Sequence, residues 1–221
     1  MLRSEEISLR EGLVYDPYVK GFDSNFWKGD TANLTTDTVK NTIKIGDTAL
    51  VGSASSYSQY LYGDFEFSMM VDSLSPDSND SEKYFGLRNT GDSNNRGAIY
   101  FDLSYDTLAG DSSPNARSFS CVSYDEAGNR QRKFVTWDTN WGGGGRTARF
   151  RISWEADGIT FLVNDTVVAT LGDREGVGAA TSQINTSIPQ AIRLSNRSLD
   201  TTDTSPTALK LLTVRHTRKL I

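Results

Sequence analysis

Between Arg149 and Leu171 the chain alternates apolar and polar residues, and this pattern limits the fold more than any other feature of the sequence. Phe150, Ile152 and Trp154 alternate with Arg149, Arg151 and Ser153. After Asp157-Gly158, Ile159, Phe161 and Val163 alternate again, and after Asn164-Asp165-Thr166 comes Val167-Val168-Ala169-Thr170-Leu171. Side chains of a strand point alternately to its two faces, so a period of two marks half-buried antiparallel strands, here two hairpins in series. The same pattern opens at Gly63, where Phe65, Phe67, Met69 and Val71 share one face.

Further strands are predicted at 42–45, 49–51, 84–88, 98–103, 119–124, 131–137, 190–195 and 208–216. The segments between them, such as 73–81, 90–96 and 199–206, are rich in Ser, Asp, Asn, Gly and Pro, as turns require. No stretch carries a helical period of ordinary length, and many short strands with polar turns describe a sandwich or jelly roll. The segments Tyr62-Gly63-Asp64-Phe65-Glu66 and 149–163 resemble the concanavalin A-like lectin/glucanase (laminin-G-like) jelly roll. In that superfamily a Tyr-Gly-x-Phe-Glu strand comes early, and a Phe-x-Ile-x-Trp, Asp-Gly, Ile-x-Phe-x-Val meander comes late. The expected fold is an all-β, two-sheet antiparallel sandwich with Phe65, Phe67, Phe101, Phe150, Ile152, Trp154, Phe161, Val163, Leu194 and Leu211 between the sheets. Residues 1–20 read as an N-terminal arm or edge segment and 21–221 as the jelly-roll domain, with 22–27 resembling the aromatic-rich start of such domains.

A sandwich of 221 residues is commonly one unit. No apolar run is long enough for a membrane-spanning helix, and mean hydropathy is −0.45. Residues 1–10 lack the apolar stretch of a secretory signal, which predicts a chain made for the cytoplasm or released by lysis. The net charge of −5, with both signs interspersed along the chain, argues against a nucleic-acid partner. The densest basic stretch, Arg215 to Lys219, reads as a solvated tail. Cys121 is the single cysteine, reads as a small buried hydrophobe, and permits no intrachain disulfide.

His216 is the only histidine, which disfavours Ser-His-Asp and Cys-His chemistry and excludes a multi-His zinc site. Carboxylate chemistry remains, and glycosidases need two carboxyl groups flanking the scissile bond. The resemblance implies a Glu-x-Asp-x-x-Glu strand, but Ile99-Tyr100-Phe101-Asp102-Leu103-Ser104-Tyr105-Asp106 stands where it is expected and offers Asp102 without either glutamate. Asp64 and Glu66 share the polar face of their strand and read as an exposed surface. A calcium aspartate that the resemblance implies in the last strand is replaced by Lys210, and the oxygen-rich segment 77–82 lacks the spacing of a recognised site. No metal and no cofactor are expected.

Sugar sites combine aromatic faces with a few polar groups. Arg132, Trp137, Asn140 and Trp141 cluster around the run Gly142 to Gly145 and form a candidate glycan platform, although Trp137 and Trp141 equally suit a role covering the end of a strand and the base of a loop. The missing signal, the missing glutamates and the arm together predict a non-catalytic structural or adhesive module on a virion surface, such as a phage capsid decoration or tail protein. Its partners would be other virion subunits, with self-association through residues 1–20. The alternatives are a glycan-binding lectin domain, meeting a cell-surface glycan, and a diverged glycoside hydrolase or lyase.

Overall fold

The computed structural model describes residues 11–15, 27–29, 34–37, 42–45, 48–52, 63–71, 81–88, 94–103, 118–125, 127–138, 140–141, 147–155, 158–172, 191–198 and 209–218. The glycine run 142–145, the oxygen-rich segment 77–80 and residues 1–10 and 16–20 of the predicted arm lie outside them. The described strands are β1 (Glu11–Tyr15), β2 (Trp27–Gly29), β3 (Leu34–Asp37), β4 (Thr42–Ile45), β5 (Thr48–Gly52), β6 (Gly63–Val71), β7 (Ser81–Arg88), β8 (Ile99–Asp102), β9 (Ser118–Tyr124), β10 (Arg130–Thr136), β11 (Thr147–Glu155), β12 (Gly158–Val163), β13 (Thr166–Leu171), β14 (Ala191–Ser198) and β15 (Leu209–Arg218).

Every pairing among them is antiparallel. One sheet has eight strands in the order β13-β12-β11-β6-β15-β4-β3, with β1 also on β15, and the other has seven in the order β10-β9-β8-β7-β14-β5-β2. The fold is an all-β two-sheet sandwich. The alternating residues of both sheets meet in one core: Phe65, Phe67, Phe150, Ile152, Phe161 and Val163 from one side, Phe85, Phe101, Phe119 and Leu194 from the other, all at most 1% exposed. Of the predicted core residues, only Trp154 and Leu211 have side chains outside the described set. Phe101 ties the two layers together, with ring centroids 5.2 Å from Phe150 and 5.1 Å from Phe161 on the opposite sheet, both edge to face.

The β12–β13 hairpin shows how local sequence fixes register. Asn164 and Asp165 both have positive φ, 47° and 66°, as a two-residue turn of the primed kind requires. Asn164 Oδ1 accepts the Arg149 N–H at 2.9 Å and its own N–H donates to the Arg149 carbonyl at 2.9 Å, so the turn also clamps β11. Residues 11–15 of the predicted arm form β1, which pairs with β15 of the same chain over Glu11↔Thr217 to Tyr15↔Val214. β4 pairs with β15 over Leu209 to Leu211, so β1 and β4 share one long edge in succession.

Candidate functional site

β8 stands where the resemblance leads one to expect the glycosidase carboxylates, and alternation decides what it presents. Ile99 and Phe101 enter the core, so Tyr100 and Asp102 point to the outer face of the seven-stranded sheet. Register then assembles that face. Gly86 and Tyr84 of β7 lie opposite Tyr100 and Asp102, Val122 and Ser120 of β9 lie opposite the same two residues on the other side, and Arg132 of β10 lies opposite Val122. On β14, Arg193 lies opposite Gly86 and Ser195 opposite Tyr84.

The side chains form a layer of tyrosines threaded with guanidinium groups. The Tyr84 and Tyr100 rings are 5.2 Å apart and tilted, and Tyr100 and Tyr124 are 6.4 Å apart and stacked. The Arg88 guanidinium lies 4.9 Å from the Tyr84 centroid and 5.9 Å from that of Tyr100, and Arg193 lies 5.8 Å from Tyr84, all within cation–π range. Arg88 Nε donates to Asn95 Oδ1 at 2.5 Å. Arg132 Nε donates to Ser120 Oγ at 2.8 Å while its guanidinium covers the Phe134 ring at 4.3 Å. Arg193 Nε and Ser195 Oγ are buried without a hydrogen-bond partner. Burial drives the Tyr100 hydroxyl far above the usual phenol pKa, the Asp102 charge adds to this, and Tyr124 adds further through its own charge and a hydrogen bond.

Gly86 has no room for a side chain beside the Tyr100 strand. A Cβ there would stand 2.4 Å from the Ile99 carbonyl oxygen and 2.6 Å from both Cα and Cβ of Tyr100. One end of the face is rimmed by two turns that hold each other. Asp125 Oδ1 accepts the N–H groups of Ala127 and Asn129 at 2.9 and 2.7 Å, and its Oδ2 accepts Asn129 Nδ2 at 2.8 Å. The Asp125 carbonyl in turn receives the Gly97 N–H at 3.4 Å.

Of the four candidate platform residues, Arg132 belongs to this outer face. Trp137 and Trp141 pack on the core side, half-buried, edge to face with each other at 6.1 Å and against Phe119 at 6.0 and 6.2 Å. Asn140 is exposed, with its N–H and Nδ2 both on Asp138 Oδ1 at 2.9 Å. The four therefore divide between two sides of one sheet. Asp64 and Glu66 lie on the outer face of the eight-stranded sheet, since Phe65 and Phe67 between them fill the core. The sheets of a sandwich pack roughly 10 Å apart, so this pair points away from Asp102 with the whole molecule between them. Tyr84, Arg88, Tyr100, Tyr124 and Arg193 were missed in the sequence reading. Their signal was an aromatic or a guanidinium on the polar phase of strands whose other phase is apolar. Among the described residues no three His, Cys, Asp or Glu side chains gather as a metal site.

No protein-family model matches this chain, and no curated protein sequence does either. Its backbone is similar to the laminarinase catalytic domain from Thermotoga maritima MSB8, with a TM-score of 0.64 at 12% identity over 96% of this chain and 99% of that one. It is also similar to the Crh5 transglycosylase in complex with NAG, with a TM-score of 0.61 at 13% identity over 96% and 87% of the two chains. The fold these likenesses show is a concanavalin A-like jelly roll. A third structure with this lectin/glucanase sandwich, from a study of botulinum neurotoxin type C and its interaction with two ganglioside molecules, has a TM-score of 0.61 at 12% identity, and this chain spans 50% of its length.

These likenesses correct the expectation of a non-catalytic virion module, and with it the virion partners, the self-association through residues 1–20 and the virion-surface location. At 12–13% identity the backbones still coincide although most side chains differ, so a missing surface motif is no ground for denying catalysis. Residues 11–15 of the predicted arm pair with β15 of the same chain rather than reaching out for a partner.

Proposed function

We propose that this protein is a carbohydrate-active β-sandwich that takes a polysaccharide chain across the outer face of its seven-stranded sheet. The observation that carries the reading is the layer of Tyr84, Tyr100 and Tyr124 interleaved with Arg88, Arg132 and Arg193 on β7, β8, β9, β10 and β14. Tyr84 and Tyr100 are 2% and 7% exposed and form the floor of this face, half-buried Tyr124 can offer an aromatic face to a sugar ring, and guanidinium, hydroxyl and carboxylate groups meet sugar hydroxyls. The neighbouring folds support the reading, since they include a laminarinase catalytic domain and a transglycosylase.

Chemistry on the bound chain would turn on Asp102, which is half-buried and electrostatically coupled to Tyr100. Affinity electrophoresis against a panel of β-glucans, galactans and chitin oligosaccharides, with chain-length analysis of the products, tests both parts. Retardation by at least one polysaccharide is expected, and lost in Tyr84→Ala and in Arg88→Ala. Asp102→Asn is expected to keep binding and to lose any redistribution of chain length. The same retardation for both binding variants, or none with any polysaccharide, would remove the face from consideration.

A further inference from the structure

The inward phases of β7 and β14 are apolar along most of their described length. Phe85 and Leu87 on β7 enter the core opposite Leu194 and Ile192 on β14. Both strands leave that pattern on the same rung. Two residues before Phe85 the inward position is Lys83, two residues after Leu194 it is Asn196, and the two lie directly opposite each other. They are 5% and 0% exposed, although lysine and asparagine are mostly surface residues. The rung is held on both sides, because the Lys83 carbonyl accepts the N–H of the core residue Leu103 at 2.7 Å and Asn196 lies opposite Thr48 of β5.

Opposite residues of an antiparallel pair have Cβ atoms about 4.5–5.5 Å apart, and the flexible stem of a lysine is long enough to carry its amine across that gap. We propose that Lys83 and Asn196 condense into an isopeptide bond that ties β7 to β14. Nζ of Lys83 attacks Cγ of Asn196, so that the Nζ–Cγ bond forms and the Cγ–Nδ2 bond breaks. Nδ2 takes one proton from Nζ and leaves as ammonia, or as ammonium when the lysine starts out protonated. The step consumes no oxidant, reductant or water. Two reactants fixed on adjacent strands and shielded from solvent gain the advantage of proximity. The product also suits its surroundings: an amide with one N–H and one carbonyl replaces an ammonium with three donors and a carboxamide with two more, which asks less of an apolar interior. With Cys121 as the only cysteine, the chain has no disulfide of its own to perform such a tie.

Mass spectrometry of the intact, fully denatured chain tests the bond directly. The folded and purified full chain is expected to be lighter than its sequence mass by one molecule of ammonia, and proteolysis is expected to release a branched peptide joining the segments that hold Lys83 and Asn196. Both signals are read from the unaltered protein, so they stand whether or not a variant folds. Lys83→Met and Asn196→Ala should each restore the full mass expected of the variant and abolish the branched peptide. In denaturing electrophoresis the unaltered chain should run ahead of either variant, because a closed loop is more compact than an open chain of the same length. A folded chain at its full sequence mass would overturn the proposal. So would an ammonia loss that persists in Lys83→Met, which would place the loss in a side reaction of an asparagine, and so would a branched peptide joining any other pair of residues.

Discussion

A single methyl group is enough to disturb the candidate face, because the Gly86 backbone and the Tyr100 strand approach so closely that any side chain meets main-chain atoms. Gly86→Ala is therefore expected to lower stability by about 1–3 kcal/mol, as overpacking does, and to displace Tyr100; denaturant titration and near-UV circular dichroism would register the two effects. Two buried titrating groups make a second prediction. Burial raises both the Cys121 thiol and the Tyr100 hydroxyl, so the folded state holds these protons after the unfolded chain has released its own at about 8.5 and about 10. Stability from these groups is fully present below those values and is lost as pH rises beyond them. The unfolding midpoint should fall steadily from pH 8 to 11, and less steeply in Tyr100→Phe. Cys121, being fully buried, should resist thiol reagents until the protein unfolds.

Elements differ in how plainly they announce themselves. β11 alternates without a break over nine residues, and β6 and β12 do so apart from Met70 and Leu162, so their buried phases were readable from hydrophobicity alone. β2 and β3, three and four residues long, carry too few positions for a period to show, and β1 has no apolar alternation to distinguish it from an arm. The candidate face was legible only in pieces. Its residues are spread over the polar phases of five strands, and nothing in the order of the chain says that β14 lies beside β7. Two changes probe the elements directly. Asn164→Ala should cost about 1–2 kcal/mol, by forcing a positive φ on alanine and orphaning the Arg149 N–H. Phe101→Ala should cost about 3–5 kcal/mol and weaken polysaccharide binding as well, because the strand that presents Tyr100 and Asp102 is anchored to the opposite sheet through that ring.

At the scale of the whole molecule, the sandwich separates two tasks. One interior of interlocking phenylalanines holds the sheets together, and the two outer faces are left free to differ in charge and chemistry. Removing residues 1–15 takes away β1 and bares the edge of β15 that it covers. The thermal midpoint should drop, while light scattering shows a mass reduced only by the deleted residues. β1 also begins where β15 ends, with Glu11 directly across from Thr217 in an antiparallel ladder. The two strands thus already have the geometry of a hairpin that lacks only its connecting turn. A short glycine-containing linker across that gap would make the chain topologically circular, and new ends could then be opened at an exposed turn elsewhere without altering which strands are neighbours.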